Sequence, residues 1–135
     1  MNVFIFQNRF EPLIVAGRKV HTIRAPRKDG KPRATVHEAI SLRVWVGKPY
    51  GSNQREFARA VVVAVWRVRL TGCGIWRIKP HFTERGYHYH DEFVKLGHRE
   101  IALGDGFKSW TEMRDWFIAQ HGLPFEGVLV EWRLV

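Results

Sequence analysis

Eight residues near the amino terminus, Gly17-Arg18-Lys19-Val20-His21-Thr22-Ile23-Arg24, bring together a backbone breaker, three cations, an imidazole and a hydroxyl. Arginine and lysine neutralise phosphates, and histidine exchanges protons near neutral pH. A threonine hydroxyl becomes a nucleophile once a base removes its proton. The stretch lies between an apolar segment running from Phe4 to Ala16 and another at Ile40 to Val46, so it reads as a functional edge held between core elements. On these residues alone the chemistry is polyanion binding. A strand-cleaving activity on single-stranded RNA, with His21 as acid or base, is a further reading.

More cations follow at once. Ala25 to Arg33 reads APRKDGKPR, an exposed loop whose prolines and glycine keep it out of the core and whose Arg27, Lys28, Lys31 and Arg33 suit an anionic ligand. Lys48-Pro49-Tyr50 sets a cation beside an aromatic ring on a second turn-rich loop, where the ring offers a face for a base. Arg18, Lys19, Arg24, Arg27, Lys28, Lys48 and Tyr50 are therefore the expected nucleic-acid contacts. A single-stranded or flipped-out base fits this equipment better than a duplex groove, because no long recognition helix is present.

Short elements must position these groups. Val3 to Gln7 is a brief apolar run, and Pro12 in a first turn with Gly17 at the end predicts a short helix closing near Ala16. Val20 to Arg24 then reads as extended, with Val20, Thr22 and Arg24 on one face and Lys19, His21 and Ile23 on the other. Lys19 and Thr22 can share a site only if the chain bends between them. Ile40 to Val46 is a strand, and Phe57 to Leu70 is a long strand with apolar residues on both faces, expected to be buried on both sides at its centre. Residues 71 to 104 lack sustained periodicity and read as a divergent, irregular insertion with a short strand at Ile75 to Ile78 and a short helix near Asp91 to Leu96. Ser109-Trp110-Thr111-Glu112 is a capping box opening a helix that Gly122-Leu123-Pro124 ends. Gly127 to Val135 is the last strand. Strands dominate and helices are short, which predicts one α+β, mainly β domain over residues 1–135: a small, closed or nearly closed mixed barrel with flanking helices.

The totals exclude several classes. The chain has 135 residues, 45% of them hydrophobic, enough for one core, and no apolar run approaches the roughly 20 residues of a membrane span. No leader is visible at Met1-Asn2-Val3-Phe4, so a soluble, cytoplasmic protein is expected. A net charge of +9 favours a polyanionic partner. Cys73 stands alone beside Gly72 and Gly74 and reads as structural. His88 and His90, near Asp91 and Glu92, have a spacing that metals use but lack a third ligand, so no metal is expected. No phosphate-binding glycine loop is present, so no nucleotide cofactor is expected. Trp45, Trp66, Trp116 and Trp132 fall in periodic elements and read as core. The oligomeric state is not legible.

The spacing Gly17-x-Lys19-x-x-Thr22-x-Arg24, with Asp105-Gly106-Phe107-x-Ser109 before an aromatic helix and a final strand opening on Gly127, resembles the ASCH domain. The resemblance runs from about Phe4 to Val135 and implies a PUA-like β-barrel that engages RNA or a modified nucleobase. Some members are RNA-processing enzymes by proposal, and one bacterial branch comprises small, metal-independent amidohydrolases that deacetylate cytidine acetylated on its exocyclic amine. The catalytic set of that branch is a lysine, a threonine and a glutamate. Lys19 and Thr22 match the first two; the third falls at Asp105, one methylene shorter. The central segment is longer than in those hydrolases, and His37-Glu38 stands where many relatives have Gly-Asp. In such a set a neutral Lys19 activates Thr22, or a charged Lys19 stabilises an oxyanion while Asp105 acts as base.

Overall fold

The structure, a computed structural model, describes residues 1–82 and 89–135. It is mainly β. Strand β1 (Asn2–Phe6) leads through a 3-10 turn (Asn8–Phe10) into helix α1 (Glu11–Val15), where Pro12 occupies the first turn and Gly17, at φ +75°, ends the segment. Then come β2 (His21–Arg24), β3 (Ala39–Trp45), β4 (Gln54–Thr71), β5 (Gly74–Phe82) and β6 (Tyr89–Leu96). Helices α2 (His98–Gly104) and α3 (Trp110–Gln120) precede the last strand, β7 (Phe125–Leu134).

The long β4 organises the sheet. Its first half pairs with β3 and its second half with β5, while its other edge pairs with β7 over Ala60 to Leu70. β1 joins β3 in parallel and β2 joins β7 antiparallel, so β1 and β2 are the two ends of a curled ladder. That ladder stays open: no backbone pairing joins β1 to β2, and in place of the expected closed or nearly closed barrel the strands form an open sheet. The gap is crossed by a side chain, because Arg24 Nη2 donates to the Ile5 carbonyl at 2.8 Å.

Two other expectations are corrected. β4 is not buried on both faces at its centre, because a register shift between Val62 and Ala64 leaves Val63 outside the pairing and 42% exposed. Among the described residues, 71 to 104 are not irregular either. β5 and β6 form a regular antiparallel hairpin, and Asp91 to Leu96 is strand rather than helix. Its residues have β-branched and aromatic character in Phe93 and Val94, and β5 supplies a full ladder of partners, which outweighs any local helical preference. The helix lies later, at α2. His88 falls outside the described residues, and with it the paired-histidine spacing.

The core lies between the curled sheet and α3. Phe4, Phe6, Ile40, Leu42, Val62, Leu129 and Trp132 come from strands, while Met113 and Phe117 come from α3. Of the expected capping box the N-cap bond forms, with Ser109 Oγ accepting from the Glu112 backbone N–H at 3.1 Å, while the Glu112 carboxylate accepts from Arg9. Trp132 is buried, whereas Trp66 and Trp116 pack against the core from its margin. Trp45 lies outside that cluster beside Tyr50, their ring centroids 5.3 Å apart. Among the described residues, no helix is long and apolar enough to cross a membrane.

Candidate functional site

Backbone hydrogen bonds fix the first half of the site. The Leu13 carbonyl at the end of α1 accepts from both Arg18 and Lys19 N–H groups. The next residue, Val20, donates to the Gly104 carbonyl at 2.8 Å and accepts from Trp132 at 3.1 Å. The chain from Leu13 to Val20 is thus tied to α1, α2 and β7 in turn. The strand begins only at His21, so strict alternation does not reach Lys19, which lies before the strand.

The second half arrives on the turn after α2. Asp105 caps that helix, with its N–H on the Ile101 carbonyl, and Gly106 turns the chain at φ +91°. A Cβ at Gly106 would meet Lys19 Cδ and Phe10 Cδ1, both at 3.2 Å. Only glycine combines that backbone conformation with so close an approach by the lysine stem.

Lys19 and Asp105 meet. Lys19 Nζ donates to the Asp105 carbonyl at 2.7 Å and to Oδ1 at 3.2 Å, and it lies 4.7 Å from the centre of the Phe10 ring. His21 is a second partner, its Nδ1 lying 3.1 Å from the same Oδ1. All three residues are buried. Burial pushes the Lys19 ammonium below the ordinary lysine range; Asp105 pulls it back up, and Arg24 and Arg9 add to the lowering. Desolvation outweighs the aspartate.

Thr22 and Arg24 share a strand face, as their spacing predicted, and Arg24 Nε donates to Thr22 Oγ1 at 3.1 Å. The guanidinium also lies over Phe6, 4.9 Å from the ring centre, and burial with the nearby Arg33 pushes its pKa down to about 10. Thr22 is hydrogen-bonded to Arg24 rather than to Lys19 or Asp105, but all four line one cavity of about 430 Å³. Phe6, Phe10, Trp116 and Phe117 give that cavity apolar walls, and Arg33 and Tyr50 stand at its margin. Tyr50 holds a left-handed backbone, at φ +62°, and is 91% exposed.

The other expected contacts scatter. Arg18 lines a second cavity of about 550 Å³ with Arg9 and Lys108, which shares Phe107 with the first. That cavity is larger but is lined by neither Lys19 nor Thr22. Arg27 is exposed and bonds Asp29, Lys28 is exposed, and Lys48 is exposed and does not line the Lys19 cavity. His21 stays outside the cavity lining, packed so that a Cβ at Gly104 would sit 2.7 Å from its Nε2.

Sequence reasoning named Arg33 as a loop cation but not as a wall of this cavity, and it missed Trp116 and the pairing of His21 with Asp105. The pairing had no signal in strand alternation, because the strand begins only at His21. Comparison with protein-family models, with curated proteins and with solved structures gives no match for this chain.

Proposed function

We propose that this chain is an ASCH-type, PUA-like module that binds RNA or a modified nucleobase, taking one base or nucleoside into the Lys19–Thr22–Arg24–Asp105 cavity. The observation that carries this reading is the cavity itself: a desolvated Lys19–Asp105 pair and the Arg24 guanidinium converge in a hollow of about 430 Å³ with aromatic walls. Small-ligand sites are mostly apolar, with a few convergent polar groups, and occupy roughly 300–1,000 Å³. The curled ladder β1-β3-β4-β7-β2, whose ends Arg24 links through the Ile5 carbonyl, suits a PUA-like pseudo-barrel. The net charge of +9 and the exposed Tyr50 ring suit a single-stranded polyanion.

Equilibrium titration with single-stranded RNA tests it. Affinity at low salt, falling with a log–log slope of about −0.7 for each neutralised phosphate, is the expected result. No binding at low salt ends the reading.

One observation favours a second reading, hydrolysis of an acylated cytidine. Lys19 is desolvated and shifted toward its neutral form, and Thr22 Oγ1 accepts from Arg24, which leaves the hydroxyl proton available to a base. Incubation with acetylated cytidine is then expected to give cytidine and acetate, with Lys19→Ala and Thr22→Ala inactive. Absence of product from the unmodified protein removes this substrate. Strand cleavage through His21 gains no support, because that ring is buried outside the cavity.

A further inference from the structure

The cavity is one end of a longer surface. Sheet register sets Arg24 of β2 opposite Val128 of β7, Val128 opposite Arg67 of β4, Arg67 opposite Ile78 of β5, and Ile78 opposite Phe93 of β6. Directly paired residues project to the same face of a sheet. This rung therefore crosses five strands on one face, about 19 Å at the usual spacing between strands. The neighbouring rung on that face carries Glu126, Arg69, Trp76 and Lys95.

The face is built for more than packing. Phe93 is 48% exposed, and it lines a shallow depression of about 220 Å³ with Arg69 and Trp76. Between that depression and the cavity, Arg27, Lys31 and Arg33 of the loop join Arg67 along a groove of about 240 Å³. Arg33 lines the groove and the cavity alike, so the two adjoin. The acids on the path are Asp29, 2.7 Å from Arg27, Asp91, 3.3 Å from Arg67, and Glu126, 3.9 Å from Arg69. All three pairs are solvent-accessible, where an ion pair contributes little and a phosphate can replace the carboxylate. Cations outnumber acids along the groove, and aromatic rings lie beyond it on β5 and β6. That combination suits the backbone and unstacked bases of a single strand rather than a duplex.

We infer that this face is a track for single-stranded RNA: its phosphates lie along Arg33, Arg27, Lys31 and Arg67, and a base stacks on Trp76 or Phe93. The inference rests on the reading that the cavity holds one base of the same strand. It adds a binding surface on the β5–β6 hairpin, remote from Lys19.

Affinities for single-stranded RNA of about 4 and about 12 nucleotides, lengths that bracket usual single-strand site sizes, test it in the full chain. The longer RNA is expected to bind more tightly. Arg69→Ala combined with Phe93→Ala, both at accessible positions, is expected to weaken the longer RNA roughly tenfold and the shorter by less than about twofold. Equal affinity for both lengths, or unchanged binding of the longer RNA by the double variant, overturns the track and leaves the face to a partner of another class. If the longer RNA is sensitive to the double variant but indifferent to Arg24→Met, the track stands and the cavity reading falls.

Discussion

Replacing Asp105 with alanine is expected to destabilise the fold by about 3–5 kcal/mol, because it strips a buried ion pair of one partner. Asp105 accepts from Lys19 Nζ and contacts His21 Nδ1 at a position where all three side chains are buried. Without it, Lys19 keeps its burial cost and loses the carboxylate charge that offsets it, retaining only the backbone carbonyl at that position. Asp105→Asn, which retains an acceptor of similar shape, is expected to lose less. Linkage gives a second signature. The folded-state pKa of Lys19 is already below its ordinary 10.5, so the unfolded chain binds that proton more tightly. The lysine's burial therefore counts against stability below the folded pKa, and this cost is relieved as pH rises from there toward 10.5. Loss of Asp105 lowers that pKa further and moves the relief to lower pH. Urea denaturation should accordingly show the gap between variant and parent narrowing as pH rises toward the ordinary lysine value of 10.5. A gap that is small, or constant with pH, would mean that the pair is not what holds this turn.

Arg24→Met is expected to weaken single-stranded RNA by roughly tenfold or more at low salt, since a hydrogen bond to a charged group is worth about 1.5–3 kcal/mol. Methionine keeps an apolar stem against Phe4 and Phe6 but removes the charge and every donor. Two of the guanidinium's N–H groups are committed, to Thr22 Oγ1 and to the Ile5 carbonyl. A guanidinium has five such donors, so others remain for a ligand in the cavity. The substitution also unties β1 from β2, so a parallel denaturation curve is needed to separate folding from binding. Full affinity in a folded variant would remove Arg24 from the ligand's contacts. The salt slope is expected to fall by about 0.7 if the guanidinium meets a phosphate, and to stay unchanged if it meets a base.

Much of the scaffold was legible because it depends on local signals. The Ser109 N-cap, the Gly17 stop and the period-two pattern of Thr22 and Arg24 each need only a few neighbouring residues, and each appears as read. The motif spacing brought Lys19 and Asp105 forward together, and they meet at 3.2 Å across 86 residues of chain. What stayed hidden depends on partners far away in sequence. The hairpin of β5 and β6 is decided by their mutual ladder, so its aromatic and histidine-rich sequence looked irregular when taken alone. The bulge at Val63 comes from the register with β7, which alternation within β4 cannot reveal. Arg33 and Trp116 reach the cavity from a loop and a helix with no pattern marking them as its walls. Charge counting also overreached: Arg18 and Lys48 add to the basic total but stand apart from the Lys19 cavity.

The central claim is that a nucleobase occupies the Lys19–Thr22–Arg24–Asp105 cavity. Two-dimensional amide NMR spectra recorded through a titration with cytidine test it most directly. Saturable shifts concentrated on the amides of Thr22 to Arg24, Asp105 to Phe107 and Tyr50 are the expected result. Saturable binding that leaves those amides unmoved would contradict it.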